Sequence, residues 1–171
     1  MLARIDSAVL ALNRLLLMAA LAAMAAIVFV NVALRYLTAD SLVWAEEVAR
    51  YLMIWLTFLG IGPVARVGGH IAIDNLQDAL PAPAARVLRA AVMALLLAFC
   101  AFLVWVGVGF VERTWIQTTP VMEIPFGLVA TTMPIGFALA LWHFGAIAAG
   151  YVRERRFEAE EALDPNAAGS L

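Results

Sequence analysis

This sequence predicts an all-α integral membrane protein of four helices, and three observations carry that expectation. Of its 171 residues 65% are hydrophobic and only 14% charged, where soluble domains hold about 45–50% and about 25%. So little polar surface cannot cover a compact soluble globule, and lipid must serve as solvent for much of the chain. The apolar residues also fall in long charge-free runs. Finally, the arginines collect at alternate breaks between those runs, as they do in a chain that crosses a bilayer an even number of times.

The elements follow in order from the positions of the charges, because a charge near the bilayer centre costs at least about 2.5–3.5 kcal/mol. Leu15 to Leu34 is 20 residues without one, about the number a helix needs to cross roughly 30 Å of hydrocarbon. The first span is drawn at 15–36. It is longer than the roughly 7–15 apolar residues of a cleavable signal, and Asn31, Arg35 and Tyr36 close it as a retained span. The next charge-free run, Tyr51 to Ala65, has 15 residues and would reach only about 22 Å. That span must therefore begin earlier, at 41–65, with Asp40 or Ser41 as N-cap and with Glu46, Glu47 and Arg50 in its first turns at the outer boundary.

Between Arg66 and Arg89, Gly68-Gly69 is followed by Ile71, Ile73, Leu76 and Leu80 among Asp74, Asn75, Gln77 and Asp78, before Pro81 and Pro83. That pattern predicts a short helix in the inner interface between helices 2 and 3. Ala90 to Val111 gives 22 charge-free residues and Ile124 to Val152 gives 29, for spans drawn at 88–111 and 124–152. Pro125 suits the first turn of the fourth span. Pro134, about ten residues in, predicts a bend or one broken turn whose freed carbonyl Thr131 or Thr132 helps to satisfy. The four-span domain covers residues 1–156, and the acidic tail 157–171 is expected to be disordered.

Orientation comes from the arginines. With the N-terminus inside, the cytoplasmic side holds Arg4, Arg14, Arg66, Arg86, Arg89, Arg153, Arg155 and Arg156, eight in all, and the outer side holds Arg35, Arg50 and Arg113. Eight against three places both termini in the cytoplasm. Trp44, Tyr51 and Trp115 then fall near the outer interface and Tyr151 near the inner one, as amphipathic rings do.

Several function classes drop out. All 11 basic residues are arginine, and with 13 acids the net charge of −2 offers no basic field for nucleic acid. Cys100 stands alone in an apolar run, and His70 and His143 are the only histidines, which leaves no cysteine- or histidine-rich metal set. His143 as a haem ligand needs a second histidine at its depth on a facing helix, whereas His70 lies in the cytoplasmic loop. His143 therefore reads as a packing residue, and His70 with Asp74 as anchors of that loop. No catalytic set and no cofactor are expected.

The remaining candidates concern packing and partners. Glu46 precedes Arg50 by four residues, the favourable order for a helical ion pair, and Arg35, Glu46, Glu47 and Arg50 sum to zero charge. A neutral group at one edge of the membrane is expected to fix helix ends rather than conduct ions. Glu46, Arg50, Met53, Thr57, Gly60 and Val64 recur at steps of four and three, a stripe suited to close helix contact and hydrogen bonding inside a bilayer. Weaker stripes are Gly127, Thr131, Ala138, Gly145 and Ala149 in the fourth span, and Ala19, Ala23, Ala26 and Ala33 in the first. Together they predict a chain that packs against more than itself.

Read in order, these residues resemble the small membrane subunit, DctQ type, of tripartite ATP-independent periplasmic (TRAP) transporters. The resemblance rests on Asn31 with Arg35-Tyr36, Trp44-Ala45-Glu46-Glu47 with Arg50-Tyr51, Trp55 and Gly60, Gly69-His70-Ile71 with Asp74, and Glu123-Ile124-Pro125 with Pro134-Ile135-Gly136. It runs from about Asn31 to Gly150. It implies a multi-pass protein of the bacterial inner membrane, without enzymatic activity, that pairs with a large multi-span membrane subunit and a periplasmic substrate-binding protein. Such systems import carboxylates and related organic acids on a sodium gradient, the small subunit acting as a fixed scaffold. The residues alone leave two other readings open: a haem- or quinone-site membrane anchor of a respiratory complex, and an autonomous small exporter.

Overall fold

The computed structural model describes residues 2–68 and 79–154. His70, Asp74, the expected interfacial helix and the acidic tail lie outside the described residues. Five helices are present, α1 Leu2–Thr38, α2 Ala45–Arg66, α3 Ala82–Thr114, α4 Phe126–Ala130 and α5 Thr132–Glu154. α4 and α5 form one crossing, so four helical segments are long and apolar enough to span a membrane.

Their bounds depart from the charge-based spans for identifiable reasons. α1 begins at Leu2 rather than at residue 15, and α3 at Ala82 rather than 88. Backbone hydrogen bonding tolerates charged side chains at an exposed helix end, so reading between charges marks where hydrocarbon is crossed, not where a helix stops. α3 starts behind Pro81, with Pro83 in its first turn, where a missing N–H leaves no bond unmade.

α2 starts four residues later than expected, because neither Asp40 nor Ser41 caps it. Asp40 Oδ1 accepts from the neighbouring Ser41 N at 2.7 Å, while Asn31 Oδ1 takes Leu42 N at 2.7 Å and folds the connection back onto α1. Ala39, at φ 57°, ends the first helix in a left-handed turn, and Trp44 occupies the N-cap without a side-chain bond. At 22 residues α2 is still about 33 Å long.

The fourth crossing breaks at Thr131, three residues before Pro134. Proline withholds the N–H that would bond the Ala130 carbonyl, and its ring crowds that carbonyl. Thr131 Oγ1 donates to Leu128 O at 2.6 Å and Thr132 Oγ1 to Val129 O at 2.9 Å, so both hydroxyls reinforce the broken turn. Pro125 sits one place earlier than expected, at the N-cap of α4.

α2 and α3 both pack along α5, and α1 packs along the far side of α2, which gives the lateral order α1, α2, α5, α3. The core lies among the last three: Ala65 of α2, Met93 and Cys100 of α3, and Ala140, Phe144, Ile147 and Tyr151 of α5. α5 meets α2 closely at Gly136, where a Cβ would lie 2.6 Å from Phe58 Cβ. α1 adds nothing to that core, and Leu12, Leu15, Met18, Leu21 and Phe29 are exposed, as apolar residues facing lipid are.

Candidate functional site

At the outer end the four charges expected to act together separate. Arg35 Nη2 of α1 lies 3.2 Å from Glu46 Oε1 of α2, so Glu46 closes the first hairpin instead of pairing with Arg50 along its own helix. Glu47 points the other way and is buried. Its Oε1 accepts from Tyr51 OH at 2.6 Å and its Oε2 from Val121 N at 2.7 Å. Val121 belongs to the connection between α3 and α4, which is itself tied by Thr119 N to Ile124 O at 2.9 Å and Phe126 N to Gln117 O at 2.7 Å. Glu47 therefore fastens the outer loop of the second hairpin to the start of α2.

The stripe on α2 lies on the surface of the chain. Glu46, Arg50, Met53, Thr57 and Val64 are exposed and Gly60 half-buried, and a Cβ added at Gly60 would meet nothing within 4 Å. Thr57 Oγ1 donates to Met53 O at 2.9 Å, so its hydroxyl is satisfied in an apolar medium. Beside the stripe, Met24, Ala25, Val28, Phe29 and Val32 of α1 with Ala49, Arg50 and Met53 of α2 line an open groove of about 660 Å³. Ala19, Ala23 and Ala26 of α1 and Ala138, Gly145 and Ala149 of α5 are exposed too.

Toward the inner end the structure assembles a group that no spacing in the sequence singles out. Arg66, 1% exposed, donates from Nε to His143 Nδ1 at 2.7 Å and from Nη1 to Asp6 Oδ2 at 2.8 Å, and its Nη2 also meets Asp6 Oδ1. Trp142 Nε1 donates to Asp6 Oδ1 at 2.9 Å. A guanidinium can only donate, so His143 accepts at Nδ1 and carries its proton on Nε2. That nitrogen lies 3.3 Å from Asn13 Nδ2, which also reaches Leu59 O at 3.2 Å. The His143 ring fits because residue 62 is glycine: a Cβ there would lie 2.1 Å from His143 Cδ2.

This group is deep. Arg89 Nε of α3 donates to Val152 O of α5 at 3.2 Å, which marks the inner ends of the crossings, and His143 lies nine residues earlier, about 13 Å along the helix. A charge pair at that depth needs its partners in protein. The available sequence signals were Pro63 inside the second span, which leaves the Leu59 carbonyl without its helical donor, and Asn13 beside a long apolar run.

Comparison with known proteins agrees with this architecture. The family model for the DctQ component of tripartite ATP-independent periplasmic transporters matches residues 24–153. The C4-dicarboxylate TRAP transporter small permease protein DctQ of Rhodobacter capsulatus is 30% identical over 115 residues, 66% of this chain and 51% of that protein. The ectoine TRAP transporter small permease protein TeaB of Halomonas elongata is 30% identical over 137 residues, 79% of this chain and 71% of its own length. The isethionate TRAP transporter permease protein DctMQ of Oleidesulfovibrio alaskensis is 26% identical over 117 residues, 67% of this chain but 18% of that protein. The chain thus spans about half the length of the first relative and less than a fifth of the third. The family match runs from the middle of α1 to the end of α5, across four segments able to span a membrane. This multi-pass membrane protein therefore belongs to the DctQ component family of the TRAP transporters, a transporter component rather than an enzyme.

Proposed function

We propose that this chain is the stationary small membrane subunit of a sodium-coupled TRAP transporter of the bacterial inner membrane, which imports carboxylates or related organic acids. In this reading it stands beside a large multi-span membrane subunit, meets a periplasmic substrate-binding protein at its outer end, and keeps both termini cytoplasmic. The observation that carries the reading is the face the fold leaves uncovered: Arg50, Met53, Thr57 and Gly60 turned outward beside an open groove of about 660 Å³. Lipid tails gain nothing from a guanidinium, a hydroxyl and a missing side chain in one row. A neighbouring helix gains close approach and hydrogen bonds from them.

The relatives support the same division of labour. The isethionate permease named DctMQ is matched over 18% of its length, as expected where a Q-type unit is carried in one polypeptide with a larger one. The names of the relatives cover C4-dicarboxylate, isethionate and ectoine, and that spread fits a subunit that does not itself select the solute. A haem-anchor reading is disfavoured by His143, whose Nδ1 is engaged by Arg66 and whose ring is packed against Gly62.

The test adds bulk to the uncovered face. Gly60→Leu and Thr57→Trp project into space the chain does not fill, so the chain should accumulate normally. Capture of the co-expressed large subunit, and sodium-dependent uptake of a dicarboxylate in proteoliposomes that also hold the binding protein, should both fall at least roughly tenfold, the scale of about 1.4 kcal/mol. Unchanged capture and uptake would overturn the assigned face, and uptake by this chain alone would overturn the scaffold role.

A further inference from the structure

We propose that Asn13 is the positioning residue of the first helix: it supplies the Leu59 carbonyl with the hydrogen bond that Pro63 withholds, and so fixes where α1 lies against α2. The second consequence, that the large subunit reads this placement, rests on the function proposed above. α1 needs such a device because it adds nothing to the core shared by α2, α3 and α5. Its outward residues are apolar, and lipid competes equally well for an apolar face. Apolar packing alone therefore leaves the placement of α1 poorly specified.

Three observations converge on Asn13. Residue 63 is a proline inside α2, so Leu59 O, four residues earlier, has no N–H within its own helix. Asn13 Nδ2 reaches that carbonyl at 3.2 Å from another helix, and Asn13 is 2% exposed. Its Oδ1 is buried and unpartnered, while His143 Nε2, which carries a proton because Nδ1 accepts from Arg66, lies 3.3 Å from the same carboxamide. A rotation of the amide that brings Oδ1 onto Nε2–H leaves Nδ2 within reach of Leu59 O. All donors then run one way, from Arg66 to His143 to Asn13 to Leu59. Shifting α1 by one residue, about 1.5 Å, would strand the carbonyl, the amide and the imidazole together in a medium without water.

The bond to the Leu59 carbonyl is testable because its cause can be removed. In the full chain with Cys100→Ala, spin labels at Leu21→Cys on α1 and Leu95→Cys on α3, both exposed, report the separation of α1 from the core. Asn13→Leu should broaden or shift that distance distribution and lower capture of the large subunit by roughly threefold to tenfold, the range expected of one interhelical hydrogen bond in a bilayer. Pro63→Ala returns an N–H to residue 63, so in that background Asn13→Leu should change the distances and the capture much less. An unchanged distance distribution for Asn13→Leu overturns the proposal. So does an Asn13→Leu defect as large in the Pro63→Ala background as in the chain that keeps its proline, because a packing role for Asn13 would not depend on that residue. If Asn13→Leu does not accumulate, recovery of the chain by Pro63→Ala supports the proposal and failure to recover it overturns it. Altered distances with unchanged capture would leave Asn13 its place and remove only the link to the partner.

Discussion

At the outer end Arg35 and Glu46 meet at 3.2 Å with 56% and 69% of their side chains exposed, whereas toward the inner end Arg66 is 1% exposed against an Asp6 at 26%. Both are arginine–carboxylate pairs that join α1 to α2. They differ in what replaces the pair when it breaks. An exposed pair exchanges its partner for water or headgroups, so it contributes about 0–1 kcal/mol. A buried pair has no such exchange, and losing one member leaves the other charge uncompensated at about 3–5 kcal/mol. Burial, rather than the presence of a salt bridge, decides which end holds the fold.

The largest expected effect is therefore at Arg66. Arg66→Leu strips Asp6 of its cation and His143 Nδ1 of its donor. A loss of about 3–5 kcal/mol corresponds at roughly 2–4 °C per kcal/mol to a fall of order 10 °C in the thermal midpoint of the detergent-solubilised chain. Adding Asp6→Leu should recover part of that loss, because replacing a whole buried pair by apolar groups is often neutral. A midpoint that does not move would break the comparison at its stronger end.

Glu47 sharpens it, because this residue is at the outer end yet buried. If depth along the membrane governed the energetics, Glu47→Ala would be as mild as loss of the exposed pair. If burial governs, Tyr51 OH and Val121 N lose a charged acceptor, at about 1.5–3 kcal/mol. The expected outcome is faster amide hydrogen exchange at Val121 and along residues 115–125, while the amides of α5 around His143 keep their protection. Unaltered exchange at Val121 would show that the outer loop holds itself.

The same contrast explains what the sequence revealed. The four crossings were legible because charge-free runs are a local property, and the broken turn before Pro134 because Thr131 and Thr132 stand next to it. Glu46, Glu47 and Arg50 drew notice because they adjoin in sequence, although the structure sends Glu46 to Arg35 and Glu47 to Val121. Asp6, Asn13, Arg66 and His143 share no spacing, since their grouping depends on how α1, α2 and α5 lie side by side. Even so, Pro63 was a local sign: a proline inside a spanning helix leaves a carbonyl that some other segment must satisfy. Reading each such proline for its orphaned acceptor would have led to a search for a buried donor, and Asn13 is the amide nearest the start of the first apolar run.

The smallest effect is expected at the exposed pair itself. Arg35→Ala should lower the thermal midpoint by no more than about 3 °C, from under 1 kcal/mol of interaction. That difference from the unaltered chain should vanish as salt rises from about 0.15 M to 1 M, since the screening length falls from roughly 8 Å to 3 Å. Arg66→Leu should keep its full effect across the same range, because protein rather than electrolyte surrounds that charge. A salt-insensitive loss at Arg35 would mean that the pair is covered by something the isolated chain does not contain. The natural check is then to repeat the titration with the large subunit present. A stability effect of Arg35→Ala that grows and loses its salt dependence only in the complex would place the outer pair at the contact with that partner, and so carry the rule of burial from the fold of this chain to its assembly.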